Sequence, residues 1–423
     1  MWQRLLIIAL LSCAALGSMA QLDCSYSSVG YIPINDLGTD EFMGYQGGLY
    51  PDGSNEMPLA HLIKGSIIGN SIRPLDIDGK IDWTDGVIVM AGFGASTAGS
   101  TFNTLTSVVN NSDSVSECLE LIGLTFGGKG LESMVPGGSF TYWNLLTDSI
   151  LEPTGYSPEQ VQIGWIKSAS KDDSINEFPL QADSIYSKYI YAVQRLKVVF
   201  PNLKILYVTS HAYGGYAGEL SDNVKLVGEP AAYYGGFSVK WLIESQINGD
   251  PRLRYEGANA PAPWLAWAPY YWADGIEPRS DGLIWECSDY EEDGGGFHHS
   301  ESGKLKETDM LFDFLYNHES SSSWFRSTFG CTFSPVSVTE SNVDKDVQLY
   351  PSPNNGTFLL EGLQPLPTDI LIYAVNGTLL RSYSYRSSDL TQPLLLTTDL
   401  PPGTYLLNIM ADKQTTRKIF FVI

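Results

Sequence analysis

Ser96 stands in Gly92-Phe93-Gly94-Ala95-Ser96-Thr97-Ala98-Gly99, directly after the apolar run that begins at Gly86. A hydroxyl on a glycine-lined turn between a buried strand and a helix is held exposed. The amides that open the helix then point at any oxyanion formed beside it. That is the chemistry of a nucleophile attacking an acyl carbonyl. The plainer alternative is a serine that only caps the next helix. A phosphate-binding loop is excluded, because no Lys-Ser/Thr pair follows at the required spacing. A second group lies in Asp289-Tyr290-Glu291-Glu292-Asp293-Gly294-Gly295-Gly296-Phe297-His298-His299-Ser300. It offers a neutral imidazole to take the serine proton and carboxylates to orient that imidazole. The same histidines, with Asp289, Glu291, Glu292 and Asp293, could instead hold a cation, and the acids alone could be a calcium loop or a solvated face.

Parallel-sheet elements would have to position these groups. Gly86 to Phe93 is continuously apolar and ends in glycines, as a strand buried on both faces reads. Val161-Gln162-Ile163-Gly164-Trp165-Ile166 is a second such strand. Asp183 to Phe200 has helical spacing at Ile185, Tyr189, Val193, Leu196 and Val199, stopped by Pro201-Asn202, and Leu203 to Val208 gives a third strand. Strand, helix, strand predicts a right-handed βαβ unit in a doubly wound or flavodoxin-like α/β sheet, which binds ligands beyond the carboxyl ends of its strands. One domain is expected over residues 22–330, then a Ser/Thr-rich linker over 332–345.

Pro263-Trp264-Leu265-Ala266-Trp267-Ala268-Pro269-Tyr270-Tyr271-Trp272 is dense in aromatics, which either stack on sugar rings or fill a core. Arg279, with Asp274 and Asp281, either binds a polar substrate or forms a structural ion pair. Trp272 and Arg279 are the candidate substrate-binding residues. His211, after the third strand, reads as a satisfied loop histidine.

The acid, glycine-rich turn, histidine and Ser300-Glu301-Ser302-Gly303-Lys304-Leu305-Lys306 leading into a helix resemble the late catalytic block of SGNH (GDSL-like) hydrolases. Further stretches look like a group of secreted bacterial SGNH-like proteins: Gly48 to Asn55, Tyr213-Gly214-Gly215-Tyr216, Glu229-Pro230, Trp272-Ala273-Asp274-Gly275 and Arg279 to Trp285. The resemblance spans most of residues 44 to 326 and implies a three-layer α/β fold. It implies Ser96 as nucleophile, His298 as base and Asp293 as orienting acid, with Asp289 as the alternative. The backbone amides of Ser96 and Gly130 (or Gly128) would be oxyanion donors, and Lys167, near where the family keeps an asparagine, would be a cationic third that polarises the carbonyl. The implied activity is a metal-free serine esterase that removes acyl groups, acetyl above all, from a carbohydrate. The alternatives are a non-catalytic glycan-binding protein on the same scaffold, or a metal-dependent hydrolase using His298 and His299. The chain departs from the family in three ways. No Asp stands beside the nucleophile, no Gly-x-Asn-Asp block follows the second strand, and Asp293 is five residues from His298.

A net charge of -23 sets the chain against nucleic acid and anionic lipid as partners. Arg4, the apolar run Leu5 to Leu11 and Ser18-Met19-Ala20 read as a signal peptide over residues 1–20, the apolar stretch being too short for a membrane anchor. Cys24, Cys118, Cys287 and Cys331 then remain, enough for two disulfides of unspecified pairing. Near the C-terminus, Tyr350-Pro351-Ser352-Pro353-Asn354-Asn355-Gly356, Gly403-Thr404-Tyr405-Leu406-Leu407-Asn408-Ile409 and Arg417-Lys418-Ile419-Phe420-Phe421-Val422 are short strands between Pro, Asn-Gly and Pro-Gly turns, hence a small β-sandwich over 346–423. The three motifs in this order closely resemble the C-terminal sorting domain of the type IX (Por) secretion system of Bacteroidetes. The resemblance implies that machinery as a partner and the cell exterior as destination.

Overall fold

The computed structural model describes residues 22–138, 141–170, 174–218, 227–327, 347–363, 365–374, 379–388, 390, 393–411 and 414–422. The expected signal peptide and linker lie outside these residues. The chain divides into two compact units, Met1–Cys331 and Thr332–Ile423.

The first unit is built on five parallel strands: β1 (Ile88–Gly94), β2 (Leu119–Thr125), β3 (Val161–Lys167), β4 (Ile205–Thr209) and β5 (Trp264–Trp267). Their order is β2-β1-β3-β4-β5, the flavodoxin-like order. Five helices matter here: α1 (Leu59–Gly69), α2 (Ser96–Asn110), α3 (Leu180–Val199), α4 (Ala231–Ile247) and α5 (Glu301–Asn317). Every residue of β1, β3, β4 and β5 is buried, so these strands lack polar alternation. Edge strand β2 does alternate in part. β5 is an edge strand that stays dry because α1 covers it: His61 Nε2 bonds to Leu265 O at 2.8 Å, and the imidazole stacks on Trp264 at 4.9 Å. The aromatic run 263–272 is therefore largely core, since Trp264, Trp267, Tyr270, Tyr271 and Trp272 are all buried.

The second unit has a four-stranded antiparallel sheet, Leu379–Tyr385, Thr368–Ala374, Gly403–Ala411 and Gln414–Val422 in that spatial order. Leu394–Thr397, Thr357–Glu361 and Gln348–Tyr350 form a three-stranded antiparallel sheet. Side chains of both meet in one core, Phe358 against Phe420 at 4.7 Å, as the expected sandwich requires. Asn354 is buried in the opening turn; its amide donates to Phe421 O (2.8 Å) and its side chain accepts from Gly356 N (2.8 Å).

Candidate active site

Strand register aligns Gly94, Lys167 and Thr209 side by side at the carboxyl ends of β1, β3 and β4. The chain order reverses between β1 and β3, so a crevice is expected at that point. Ser96 opens there, as the first residue of the 15-residue α2. Gly94 makes the turn at φ +138°, and a Cβ there would lie 2.2 Å from Lys167 O, so only glycine fits. The Ser96 side chain does not cap the helix. It is half-buried, and its Oγ lies 2.8 Å from His298 Nε2. The first amides of α2 have no intrahelical acceptor and carry the positive end of the helix dipole, a setting suited to a developing oxyanion.

His298 is delivered by a glycine turn. Gly294 N donates to Glu291 O (3.0 Å), and Glu291 N to His298 O (3.0 Å). Gly296 takes φ +73°, and a Cβ there would sit 2.1 Å from Tyr216 O, which explains the run of glycines. Burial holds the His298 imidazole below its ordinary range, against the opposing pull of the Gly294 carbonyl and Glu291. The ring is therefore neutral near pH 7, the form that can accept a proton from Ser96. Because protonation removes the base, turnover should fall as pH drops through the folded-state value, which lies under the ordinary His value of about 6.5. A kcat/KM profile on a model ester checks this, and an acid limb centred above 6.5 would contradict it.

Asp293 does not orient the base. It is exposed, and His298 Nδ1 meets Gly294 O at 3.1 Å instead. The stretched Asp293-to-His298 spacing lets the intervening backbone turn back on the ring, so a carbonyl takes the acceptor's place. Asp289 does not fill the role either. It is 2 % exposed and accepts from Glu286 N (2.9 Å), Ser302 Oγ (2.9 Å) and Lys306 Nζ (2.5 Å), which locks the start of α5.

Lys167 is not aimed at an oxyanion. It is 1 % exposed, and its Nζ donates to Glu307 Oε2 on α5 at 2.5 Å and to Thr101 Oγ1 on α2 at 3.0 Å. Burial pushes the Glu307 carboxyl up, but Lys167 and then His299 pull it well below the usual carboxylate range, so it is ionised. Gly130 is buried at the head of a short turn, Leu131–Ser133, that is tied to the exit of β3 by Leu131 N to Ala169 O (3.0 Å).

The two candidate substrate-binding residues are structural. Trp272 is fully buried and donates from Nε1 to Glu229 Oε1 at 2.7 Å. Arg279 is 5 % exposed, paired with Asp281 and donating to the carbonyls of Tyr270 (2.5 Å) and Trp272 (3.1 Å). Asp274 instead binds residues 28–30, through Ser28 Oγ (2.6 Å), Val29 N (2.7 Å) and Gly30 N (2.9 Å). Trp272→Phe should therefore cost about 0.5–1.5 kcal/mol of stability by removing one of two donors to the buried Glu229 Oε1, Gly214 N (2.8 Å) remaining, with KM unaltered. Urea melts beside Michaelis curves decide this, and a raised KM at unchanged stability would return Trp272 to the substrate site.

His298 and His299 face different partners, Ser96 and Glu307 respectively. Among the described residues no three His, Cys, Asp or Glu side chains are grouped to hold a cation. His211 is not satisfied as expected: its Nε2 is buried without a hydrogen-bond partner among the described residues, and burial, with Lys167 adding, pushes the ring down to about 3. Cys24 and Cys287 form a disulfide across a separation of 263 residues. Cys118 is also disulfide-bonded.

The sequence reading missed Glu307 and the Gly294 carbonyl. The first had a signal: Lys167 is the only charged residue of a wholly buried strand, and such a charge requires a buried partner. Glu307 lies in the stripe Gly303, Glu307, Leu311, Leu315 that α5 turns inward. The carbonyl had none, because backbone acceptors are not written in a sequence.

No curated protein matches this chain. Among solved structures, a protein from Arabidopsis thaliana is similar at 13 % identity and TM-score 0.27, over 58 % of this chain and 74 % of that one. The spore cortex lytic enzyme SleM of Clostridium perfringens follows at 8 % and 0.20, over 84 % and 95 %. Superpositions this weak carry no argument. Residues 348–422 match the family described as secretion system C-terminal sorting domain. The antiparallel module at the C-terminus is thus such a sorting domain, and the protein is one that type IX secretion of the Bacteroidetes kind delivers outside the cell, released or held at its surface.

Proposed function

We propose that the first unit is a serine esterase that removes acyl groups, acetyl in particular, from a carbohydrate. The observation that carries this reading is the 2.8 Å contact of Ser96 Oγ with His298 Nε2 at the start of α2. His298 takes the Ser96 proton as Oγ attacks the acyl carbonyl, and the alkoxide becomes a tetrahedral oxyanion facing the α2 amides. The imidazolium then protonates the sugar oxygen as its bond to the acyl carbon breaks, so that the sugar leaves as its alcohol and an acyl-Ser96 remains. Water, deprotonated by His298, attacks that ester and releases the acid. The Ser96 amide is the first oxyanion donor, and the loop of Gly130 is close to the exit of β3 and is the candidate for the second. The carbohydrate half of the substrate is supported by the resemblance to secreted SGNH proteins. The aromatic run, being buried, lends it nothing.

A second reading is favoured by one observation: His298 Nδ1 meets the Gly294 carbonyl, and among the described residues no carboxylate is hydrogen-bonded to it. A non-catalytic glycan-binding protein would tolerate that loss. Acetate release from acetylated polysaccharide, measured with and without a chelator, separates the two. Release that survives the chelator supports the esterase. Retention on the polysaccharide without release supports the binding protein, and release abolished by the chelator would overturn both.

A further inference from the structure

The Ser96–His298 pair is presented by two separate elements, α2 and the base loop, and one buried carboxylate touches both of them and the central strand β3. Glu307, on α5, is fully buried. Its Oε2 accepts from Lys167 Nζ at the end of β3 (2.5 Å) and from Thr101 Oγ1 in α2, the helix that Ser96 opens. The same oxygen lies 3.6 Å from Nδ1 of His299, the neighbour of His298. That distance is too long for a hydrogen bond, and the contact is one of packing between the ring edge and the carboxylate. His299 is itself fixed, stacked on Trp285 at 4.8 Å with 5° between the planes and edge-on to Tyr290 at 4.9 Å. Thr101 and Lys167 are bonded to each other as well, at 3.0 Å. Around Glu307, therefore, the serine helix, the central strand and the base loop have almost no independent freedom.

In the usual triad a carboxylate on Nδ1 sets the tautomer and tilt of the imidazole directly. Here that nitrogen meets a backbone carbonyl, so the ring can be no better placed than the loop that carries it. We propose that Glu307 is a positioning residue for this site, fixing the separation of Ser96 Oγ and His298 Nε2 by joining α2, β3 and the base loop at one carboxylate. The inference rests on the Ser–His reading given above. It adds a carboxylate that acts one layer behind the reacting atoms.

Three changes test it. Thr101→Val removes one arm and leaves the ion pair. His299→Phe keeps the stack and removes another arm. The double change Lys167→Met with Glu307→Leu removes the pair as a unit and exchanges it for apolar volume, which a buried pair often tolerates without loss of stability. Thr101→Ser restores the hydroxyl and is the conservative rescue. The readouts are the rate at which a fluorophosphonate modifies Ser96 across pH, the thermal midpoint, and the Ser96–His298 separation in crystals of each variant. Thr101→Val and the double variant should label roughly 10- to 100-fold more slowly at little change in thermal midpoint, with Thr101→Ser near wild type. Wild-type labelling in all three altered proteins would overturn the proposal. If the unaltered protein takes no adduct, the esterase reading falls but the positioning claim is still judged by the crystals. A separation lengthened by about 0.5 Å or more supports it, and an unchanged one overturns it.

Discussion

Ser96→Ala is expected to abolish modification of the protein by a fluorophosphonate and to lower ester turnover roughly a thousandfold or more. The size of the effect follows from what the serine has and its neighbours lack. Ser96 combines a hydroxyl on a neutral imidazole with the first position of a long helix, at the point where the chain order reverses between β1 and β3. Thr97 is buried, and no other serine hydroxyl among the described hydrogen bonds is paired with His298. Intact mass before and after exposure to the reagent is the measurement. One adduct on the wild type and none on the variant is the expected pair. An adduct that persists in the variant would move the nucleophile elsewhere, and none on folded wild type would remove the esterase reading.

Lys167→Met should instead strike stability. The resemblance implied Lys167 as an oxyanion donor, and its loss would then lower kcat at constant stability. With the ammonium 1 % exposed and bonded to Glu307, removing it strands an ionised carboxylate in the interior, at a cost of about 3–5 kcal/mol. That is a large part of a typical domain's stability. The remedy is as informative as the damage: adding Glu307→Leu should return most of it, because no charge is then left unpaired. Urea denaturation of wild type, single and double variants measures all three. A Lys167→Met protein as stable as wild type, yet slow, would put the lysine back at the reacting atoms.

How much was legible follows the physics of each element. β1, β3, β4 and α3 were read from sequence within three residues at each end, because strands buried on both faces and a helix with one apolar stripe leave strong patterns. β2 was passed over: as an edge strand it carries Glu120 in a partly exposed position, and its run is broken. β5 was hidden by its composition, since Trp264-Leu265-Ala266-Trp267 between prolines resembles a binding surface as much as a strand. In the site, Ser96 and His298 were legible because each sits on a glycine-rich turn that packing demands. The acceptor on the imidazole was not. Aspartates near a histidine in sequence are common, and that the backbone brings the Gly294 carbonyl to the ring and neither Asp289 nor Asp293 depends on two positive-φ glycines, Gly295 and Gly296, whose turn cannot be inferred from spacing.

The strap formed by residues 22–30 has a consequence for the order in which the domain can be completed. Cys24 is bonded to Cys287, Asp23 N donates to Tyr216 O, and Ser28 to Gly30 are gripped by Asp274. The earliest residues of the domain are thus moored to some of its latest, and a chain leaving its synthesis or export channel N-terminus first cannot settle them as they emerge. Long-range closure of this kind slows folding and prolongs exposure of unfinished chain. A chain truncated before Asp274 should leave residues 22–30 open to a protease that spares them in the full protein, and protection in the truncated chain would show that the strap finds its place early. The domain is built to be finished all at once, after its last strand and base loop have arrived.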